Sequence, residues 1–310
     1  MAFPSPLRYP GGKGKIVNLI KMFFLSNNLI GAEYVEPYAG GASVGLSLLF
    51  EEYVSRIHIN DLNYSVFAFW NAVVSMPDEL CALIRDAKLD IDEWKKQRSC
   101  QAASSPDPLE LAFSTFYLNR TTRSGILNGG VIGGKNQDGR WKLDARFNKE
   151  DLIRRIQKIA RFTNRISVSN LDAVELIARF FTPLTAATFL YVDPPYFCKG
   201  KDLYQNFYQP YDHKKVARVL SQVGCDWIVS YDVTPQIADM YCDYSMLEYT
   251  LSYSAQQKYL GSEVMFFSHG LRIPEYSNPT KVRATDVNRA KLDFALHSIS
   301  ARHKELSRLR

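Results

Sequence analysis

Cysteine is scarce in this chain, and what there is lies scattered. Cys81, Cys100, Cys198, Cys225 and Cys242 form no C-x-x-C pair, so neither a zinc site nor a disulfide framework is expected. Free thiols and no metal are the reading. No apolar run approaches the roughly 20 residues that a membrane helix needs. The opening residues, Met-Ala-Phe-Pro-Ser-Pro-Leu-Arg8, put no apolar stretch ahead of their charges, as a secretory signal would. A cytoplasmic protein without a membrane partner is therefore expected. Internal repeats and low-complexity segments are absent too.

What is present suffices for a sizeable core. The 310 residues are 46% hydrophobic, 23% charged and 13% aromatic, which excludes wholesale disorder. The length suits one large domain or two modest ones, at roughly 100–200 residues each. The net charge of +6 is an average over unlike regions. Residues 117–165 carry twelve Lys or Arg against four acids, residues 281–310 carry eight against three, and the remainder is acidic. Two basic islands on an acidic body suit a polyanion partner, although such runs also occur as solvated helix faces.

Periodicity organises the chain. A helical pattern opens near residue 15, with Ile16, Leu19, Ile20, Phe23 and Phe24 at three- and four-residue spacing. A strand at about 33–37, a glycine turn, a helix through Val44 and Leu49, and a strand at 56–60 follow. Apolar strands joined through a helix mark a parallel sheet with helices packed on it. Residues 62–163 read instead as helices, at 62–75, 78–87, 107–119 and 148–163, interrupted by the glycine-rich stretch from Ser124 to Gly134. Strands resume at 165–169, 188–192, 227–230, 246–252 and 264–267, with helices at 171–180 and 213–222. The spacing predicts one α/β sheet domain with a helical, basic insertion and a polar tail carrying a helix near 288–305.

Three segments carry chemistry. In Glu36-Pro37-Tyr38-Ala39-Gly40-Gly41-Ala42, glycines stand between a strand end and a helix N-terminus, where open α/β sheets bind nucleotides. The pattern is not G-x-G-x-x-G. Asp61 closes the next strand, where an acid takes ribose hydroxyls, so a nucleoside without a pyrophosphate fits; a plain tight turn is the alternative. Tyr9-Pro10-Gly11-Gly12-Lys13 lacks the spacing and hydroxyl of a P-loop, which disfavours NTP hydrolysis. A glycine-flanked lysine at a helix start can still hold a carboxylate; a flexible basic terminus is the alternative.

The third segment is Asp193-Pro194-Pro195-Tyr196 at the end of an apolar strand. Two prolines hold the turn extended, and Pro194 lacks an N–H, so its carbonyl can serve with Asp193 as a pair of acceptors. Tyr196 adds an aromatic face. Such a site would hold an exocyclic amino group on a planar base, with the nitrogen lone pair directed at an electrophile; a proline turn plugged by an aromatic ring is the alternative.

In this order, the segments resemble the Dam-type DNA adenine-N6 methyltransferases over about residues 6–268. The resemblance implies a Rossmann-like, S-adenosylmethionine-dependent α/β methyltransferase sheet with a mainly helical target-recognition insertion. It implies a catalytic domain of residues 1–61 and 164–270, an inserted DNA-recognition domain of 62–163, and a basic tail of 271–310. Tyr9 and Lys13 would contact the methionine part of S-adenosylmethionine; Glu36, Tyr38 and Gly40 would line its pocket. Asp61 would bind the ribose and Asp172 would lie near the adenine ring. Asp193, Pro194 and Tyr196 would hold an adenine flipped out of double-stranded DNA. Leu203-Tyr204 through Asp212-His213 and Ser230-Tyr231-Asp232 resemble the family's later segments.

The insertion departs from the family. The GATC-reading branch shows N-R-x-x-[FY]-N-G-L-x-R, whereas this chain has Asn119-Arg120-Thr121-Thr122-Arg123-Ser124-Gly125-Ile126-Leu127-Asn128. The aromatic–Asn pair is replaced by Arg123-Ser124 and the later Arg by Asn128. Because Arg pairs with guanine and Asn with adenine, a target that contains adenine but is not GATC is expected. Arg120 suits a phosphate, as do Lys135, Arg140 and Lys142. Two other readings stay open: an amino-methyltransferase acting on N4 of cytosine or on RNA adenine, and a DNA-binding relative that has lost the chemistry.

Overall fold

The computed structural model describes residues 4–8, 13–181, 187–198, 208–254, 258–276 and 278–308. Seven strands form one sheet: β1 (Ala32–Glu36), β2 (Val54–Asn60), β3 (Ile166–Ser169), β4 (Thr188–Val192), β5 (Asp226–Asp232), β6 (Ser245–Ser254) and β7 (Lys258–Phe267). Their order is β3-β2-β1-β4-β5-β7-β6. The first five are parallel; β7 runs antiparallel to β5, and β6 to β7. The order reverses between β1 and β4, so the crevice beyond their carboxyl ends is where such a sheet takes a ligand. Glu36 ends β1, and Asp193 follows β4 directly.

The central strands are apolar because helices cover both faces. β4 is buried along its whole length, and β1 at every residue but Glu33, as both-faced burial requires. The helix Val17–Ser26 lays Leu19, Ile20, Phe23 and Phe24 on the sheet, with Phe23 stacked on Phe267 at 5.2 Å between ring centroids. Residues 64–160 fold into helices Tyr64–Ser75, Pro77–Asp86, Ile91–Ala102, Pro108–Thr121 and Lys149–Ala160. Their apolar side chains, Phe69, Trp70 and Phe116 among them, belong to the same continuous core cluster as Phe23 and Leu48. The expected helix at 107–119 is Pro108–Thr121, capped by Asp107 and almost wholly buried. The C-terminal helix Ala284–Arg308 returns Val287 to this core.

Sequence periodicity missed the helix Ile91–Ala102. Its residues are mostly charged or polar, and only Trp94 and Gln97 are buried, so no apolar stripe exists to be read. A cap signal was available: the Asp90 side chain accepts from the N–H of Glu93 at 2.8 Å, in the spacing typical of helix starts. Among the described residues no single helix is long and apolar enough to cross a membrane.

Candidate active site

The turn after β1 is built around Asp61. The Gly40 N–H donates to Asp61 Oδ2 and the Asn63 N–H to Oδ1, both at 2.9 Å. Gly40 and Ala42 lie at φ +45° and +46°, so the chain turns sharply into the helix Ser43–Phe50. Below it, Asn60 is saturated. Its Nδ2 donates to the carbonyls of Pro37 and Leu171, and its Oδ1 accepts from Ser169 Oγ and the Leu171 N–H. This buried amide clasps the loops after β1 and β3, and Trp70 Nε1 ties the Gly40 carbonyl at 2.8 Å. Neither residue stood out in the sequence, because neither belongs to a motif. Burial pushes the Asp61 carboxyl up to about 6, against the two backbone donors that lower it.

Glu36 sits deeper. Its Oε1 accepts from Tyr34 OH at 2.8 Å and from the Gly45 N–H at 3.2 Å, whereas Oε2 is buried without a hydrogen-bond partner. Burial raises its carboxyl to about 7, partly offset by those two donors. A Cβ on Gly45 would meet the Tyr34 ring at 3.1 Å, so glycine lets the helix approach β1 this closely. Tyr38, half-buried, shares a 3.0 Å hydroxyl contact with Tyr208. Asp172 caps the helix Ala173–Ala178, accepting from the Val174 N–H at 2.8 Å.

The third segment meets the first here. Lys13 Nζ, buried, lies 2.9 Å from Asp193 Oδ1 and 3.4 Å from Glu263 Oε1. Ser230 Oγ also donates to Asp193 Oδ1, at 2.8 Å. Burial works against the Lys13 ammonium, but Asp193 and then Glu263 override it and lift its pKa above the ordinary range; the lysine is held charged between two carboxylates. Burial keeps the Asp193 carboxyl above the usual carboxylate range, with Lys13 pulling the other way. Tyr196 is buried and donates to Glu263 Oε1 at 2.7 Å. Asp232, on β5, fixes the exit of the turn by accepting from the N–H groups of Phe197 and Cys198 at 2.7 and 2.9 Å. Lys13 and Asp193 come from separate motifs 180 residues apart in sequence, and the fold brings them together. Glu263, Asp232 and Ser230 complete the set; the register between β5 and β7, invisible in one-dimensional sequence, delivers Glu263. Tyr9, Leu203 and Tyr204 lie outside the described residues.

The residues expected to read DNA are distributed differently. Asn119 is buried: its Oδ1 accepts from the Arg8 N–H at 2.7 Å, and its Nδ2 donates to the carbonyls of Arg8 and Gly125. Arg120 is 8% exposed, with Nε lacking a hydrogen-bond partner. Burial, then the cations of Arg155, Arg8 and Arg146, lowers its guanidinium to about 9. Arg123 and Asn128 are exposed, and Ser124 sits at φ +58°. The stretch that follows is an irregular, cross-tied loop. Gln137 donates to the carbonyls of Ile132 and Gly134 and accepts from the Leu143 N–H. Gly133, at φ +86°, lies so close to Trp141 that a Cβ would come within 2.7 Å of its carbonyl oxygen. Lys135, Arg140 and Lys142 are exposed on this loop. Beside them Trp141, 64% exposed, carries the Arg140 guanidinium 5.4 Å from its ring centroid. Sequence reading passed over Trp141, although a lone Trp within a basic run is a visible signal.

Comparison with known proteins bears on these motifs. A modification methylase, StsI of Streptococcus sanguinis, is 28% identical over 206 residues, which is 62% of this chain but only 28% of that relative's length. A type II methyltransferase, M.MjaIII of Methanocaldococcus jannaschii, is 24% identical over 220 residues, 66% of this chain and 73% of the relative. Among solved structures, a candidate RNA methyltransferase from Pyrococcus horikoshii aligns over 84% of this chain and 83% of its own, with a TM-score of 0.39 and 7% identity. The family model for the D12 class N6 adenine-specific DNA methyltransferases matches residues 9–255, from the glycine–lysine segment through Asp61 and the helical insertion to the Asp193–Tyr196 turn. On that match, the chain belongs to the D12 class N6 adenine-specific DNA methyltransferase family.

Proposed function

We propose that this chain transfers a methyl group from S-adenosylmethionine to N6 of an adenine extruded from a specific double-stranded DNA sequence. The observation that carries this is the Asp193–Tyr196 turn at the sheet's switch point. There a carboxylate oriented by Lys13 and Ser230 stands beside a proline carbonyl and a buried tyrosine. Extruding the adenine costs a few kcal/mol, and the turn supplies the contacts that offset it. Asp193 and the Pro194 carbonyl accept the two N6 hydrogens, Tyr196 stacks on the ring, and the nitrogen lone pair is left pointing at the methyl donor. S-adenosylmethionine, when bound, supplies the methyl group as an electrophile on a sulfonium.

The residues present fit that cofactor. The buried Glu36 Oε2 has no hydrogen-bond partner, and an ammonium donor such as that of a bound amino acid moiety would satisfy it. Asp61, fixed by two backbone donors, retains lone pairs for ribose hydroxyls. Gly40 and Tyr38 border the same crevice, with Asp172 at the start of the next helix. Lys13 lies against Asp193 and Glu263, so we assign it to orienting Asp193, in place of the methionine contact expected from the resemblance.

DNA would lie across the basic insertion. The guanidinium of Arg120 sits among three other arginines with Asp151 as the neighbouring acid, an arrangement that a phosphate would relieve. Arg123, Ser124 and Asn128 would face bases, with Lys135, Arg140, Lys142 and Trp141 along the flank. Asn119 would shape this surface from beneath. A DNA substrate suits action in the cytoplasm, and the relatives' names suit a role in restriction–modification.

The test is methyl transfer from tritiated S-adenosylmethionine to DNA and to RNA, followed by identification of the modified base and its sequence context. N6-methyladenine in DNA, abolished by Asp193→Ala in a folded protein, is expected. N4-methylcytosine, labelled RNA, or an Asp193→Ala variant that retains more than a trace of activity would overturn the reading.

A further inference from the structure

Glu263 stands out in β7 as an acid at the head of an apolar run, Val264-Met265-Phe266-Phe267. It lies beyond the residues that the family model matches. It is 1% exposed, and a buried carboxylate costs several kcal/mol unless its lone pairs and charge are met. Three side chains among the described residues meet it. Lys13 Nζ is 3.4 Å from Oε1, Tyr196 OH donates to Oε1 at 2.7 Å, and Tyr249 OH donates to Oε2. The first two are parts of the base-holding turn or its immediate partner.

The register across the antiparallel edge explains the position. Glu263 pairs with Asp232 on β5 and with Tyr249 on β6. Asp232 holds the backbone just after Tyr196, through the N–H groups of Phe197 and Cys198. One register pair thus grips the turn twice, Asp232 by its main chain and Glu263 by the far end of its aromatic side chain. The Lys13 ammonium lies 5.3 Å from the centroid of the Tyr196 ring and reaches Asp193 as well, so it links the two halves of the clamp.

We propose that Glu263 is a positioning residue for methyl transfer: by pinning the Tyr196 hydroxyl and sharing Lys13 with Asp193, it sets the plane on which the target base stacks. This rests on the methyl-transfer reading above. A tyrosine anchored only at Cα can swing its ring, and a base stacked on it would swing too. A misplacement of about 1 Å at the reacting nitrogen costs on the order of a hundredfold in rate. Pinning the hydroxyl removes that freedom before the base arrives, as a preorganised site requires.

The test compares Glu263→Gln, Tyr196→Phe and the double variant in single-turnover methyl transfer, with S-adenosylmethionine binding and thermal unfolding measured alongside. Tyr196→Phe keeps the stacking ring and loses only the pin, so it remains informative if Glu263→Gln does not fold. We expect each folded single variant to slow transfer by about tenfold or more, with cofactor affinity within about threefold of wild type. The double variant should be no slower than the worse single, because both substitutions break one connection. Independent, multiplying losses, or a Tyr196→Phe variant as fast as wild type, would overturn the proposal. A wild-type protein that transfers nothing to DNA would instead refute the methyl-transfer reading on which it rests.

Discussion

Arg8 and Asn119, 111 residues apart, form a reciprocal pair: the Arg8 N–H donates to Asn119 Oδ1 at 2.7 Å, and Asn119 Nδ2 donates to the Arg8 carbonyl at 2.6 Å. A side chain here behaves as one residue of a β-bridge and fastens the segment leading to Lys13 onto the helix Pro108–Thr121. Asn119→Ala leaves both backbone groups of Arg8 unpaired in a half-buried place, each worth about 1–3 kcal/mol. Two such groups sum to about 2–6 kcal/mol, and because Arg8 is only half-buried a loss in the lower part of that range is expected in urea unfolding. Arg123→Ala and Asn128→Ala, at exposed positions, should each stay within about 0.5 kcal/mol of wild type.

That contrast shows where the sequence was legible. The motif around Asn119 marked a segment expected to read DNA, but motif spacing carries no information on which side chains face inward. Strand β4 and the Asp193 turn were readable because burial on both sheet faces writes a continuous apolar run that ends on a polar residue, whereas β1 and β2 were readable from shorter apolar stretches closing on Glu36 and Asn60. Glu263 was not, because its role depends on the register of three strands. The helix Ile91–Ala102 escaped because so little of it is buried that it has no apolar period to detect.

If Glu36 meets the cofactor as proposed, cofactor affinity should depend on pH. Burial raises its carboxyl from 4.5 to about 7, so in the free protein it is largely protonated below that pH. A cationic cofactor prefers the carboxylate, and binding should weaken as pH falls below about 7, by up to about tenfold per unit. Asp61, at about 6, adds a second step lower down. The sign for folding is the reverse: a raised carboxyl pKa contributes stability that is present at low pH and lost as pH rises through about 7. Calorimetric titration of S-adenosylmethionine from pH 5.5 to 8.5 should show the slope, and Glu36→Gln should flatten its upper part; an unchanged slope in that variant would remove Glu36 from the cofactor site.

Lys13 protects two carboxylates at once. Lys13→Met would leave the buried Glu263 and the partly buried Asp193 without their shared cation, and breaking a fully buried pair typically costs about 3–5 kcal/mol, with less expected from the Asp193 side. The Asp193 carboxyl already lies above 3.8 through burial and is held down by Lys13. Without the ammonium it rises further, and its ionised form is lost at higher pH. The acidic limb of the rate profile should therefore move to higher pH in Lys13→Met, measured as single-turnover rate against pH. An unmoved limb would mean that a group other than Asp193 governs it.

The cross-tied loop from Val131 to Leu143 should contribute salt-dependent binding. If Lys135, Arg140 and Lys142 each meet a phosphate, replacing all three with Gln should reduce the slope of log K against log salt by roughly 0.9 per contact. Glutamine at Lys281, Arg283 and Arg289 tests the C-terminal basic island separately. Trp141, exposed beside Arg140, should show quenched fluorescence on a duplex, and Trp141→Ala should weaken binding by about 1–3 kcal/mol if the indole stacks on a base. A slope unaffected by the loop substitutions would move the DNA off this face.

If Arg123 and Asn128 stand where the resemblance puts the base-reading residues, the target should differ from GATC. Arg123 and Asn128 are exposed at the ends of a tight turn whose backbone is fixed by Arg123 N–H to the Gly130 carbonyl and by the buried Gly125. An Arg in place of an aromatic exchanges a stacking contact for a bidentate donor suited to guanine, and an Asn in place of an Arg exchanges a guanine reader for an adenine reader. Each such pairing discriminates by about 1–3 kcal/mol, so both changes together should disfavour the old target by several kcal/mol. Plasmid DNA methylated by this protein should therefore stay sensitive to a nuclease blocked by methylation at GATC, while modified-base sequencing finds N6-methyladenine in another motif. Arg123→Ala should relax the preference at one position of that motif, whereas protection of GATC sites would show that these two side chains do not set the target.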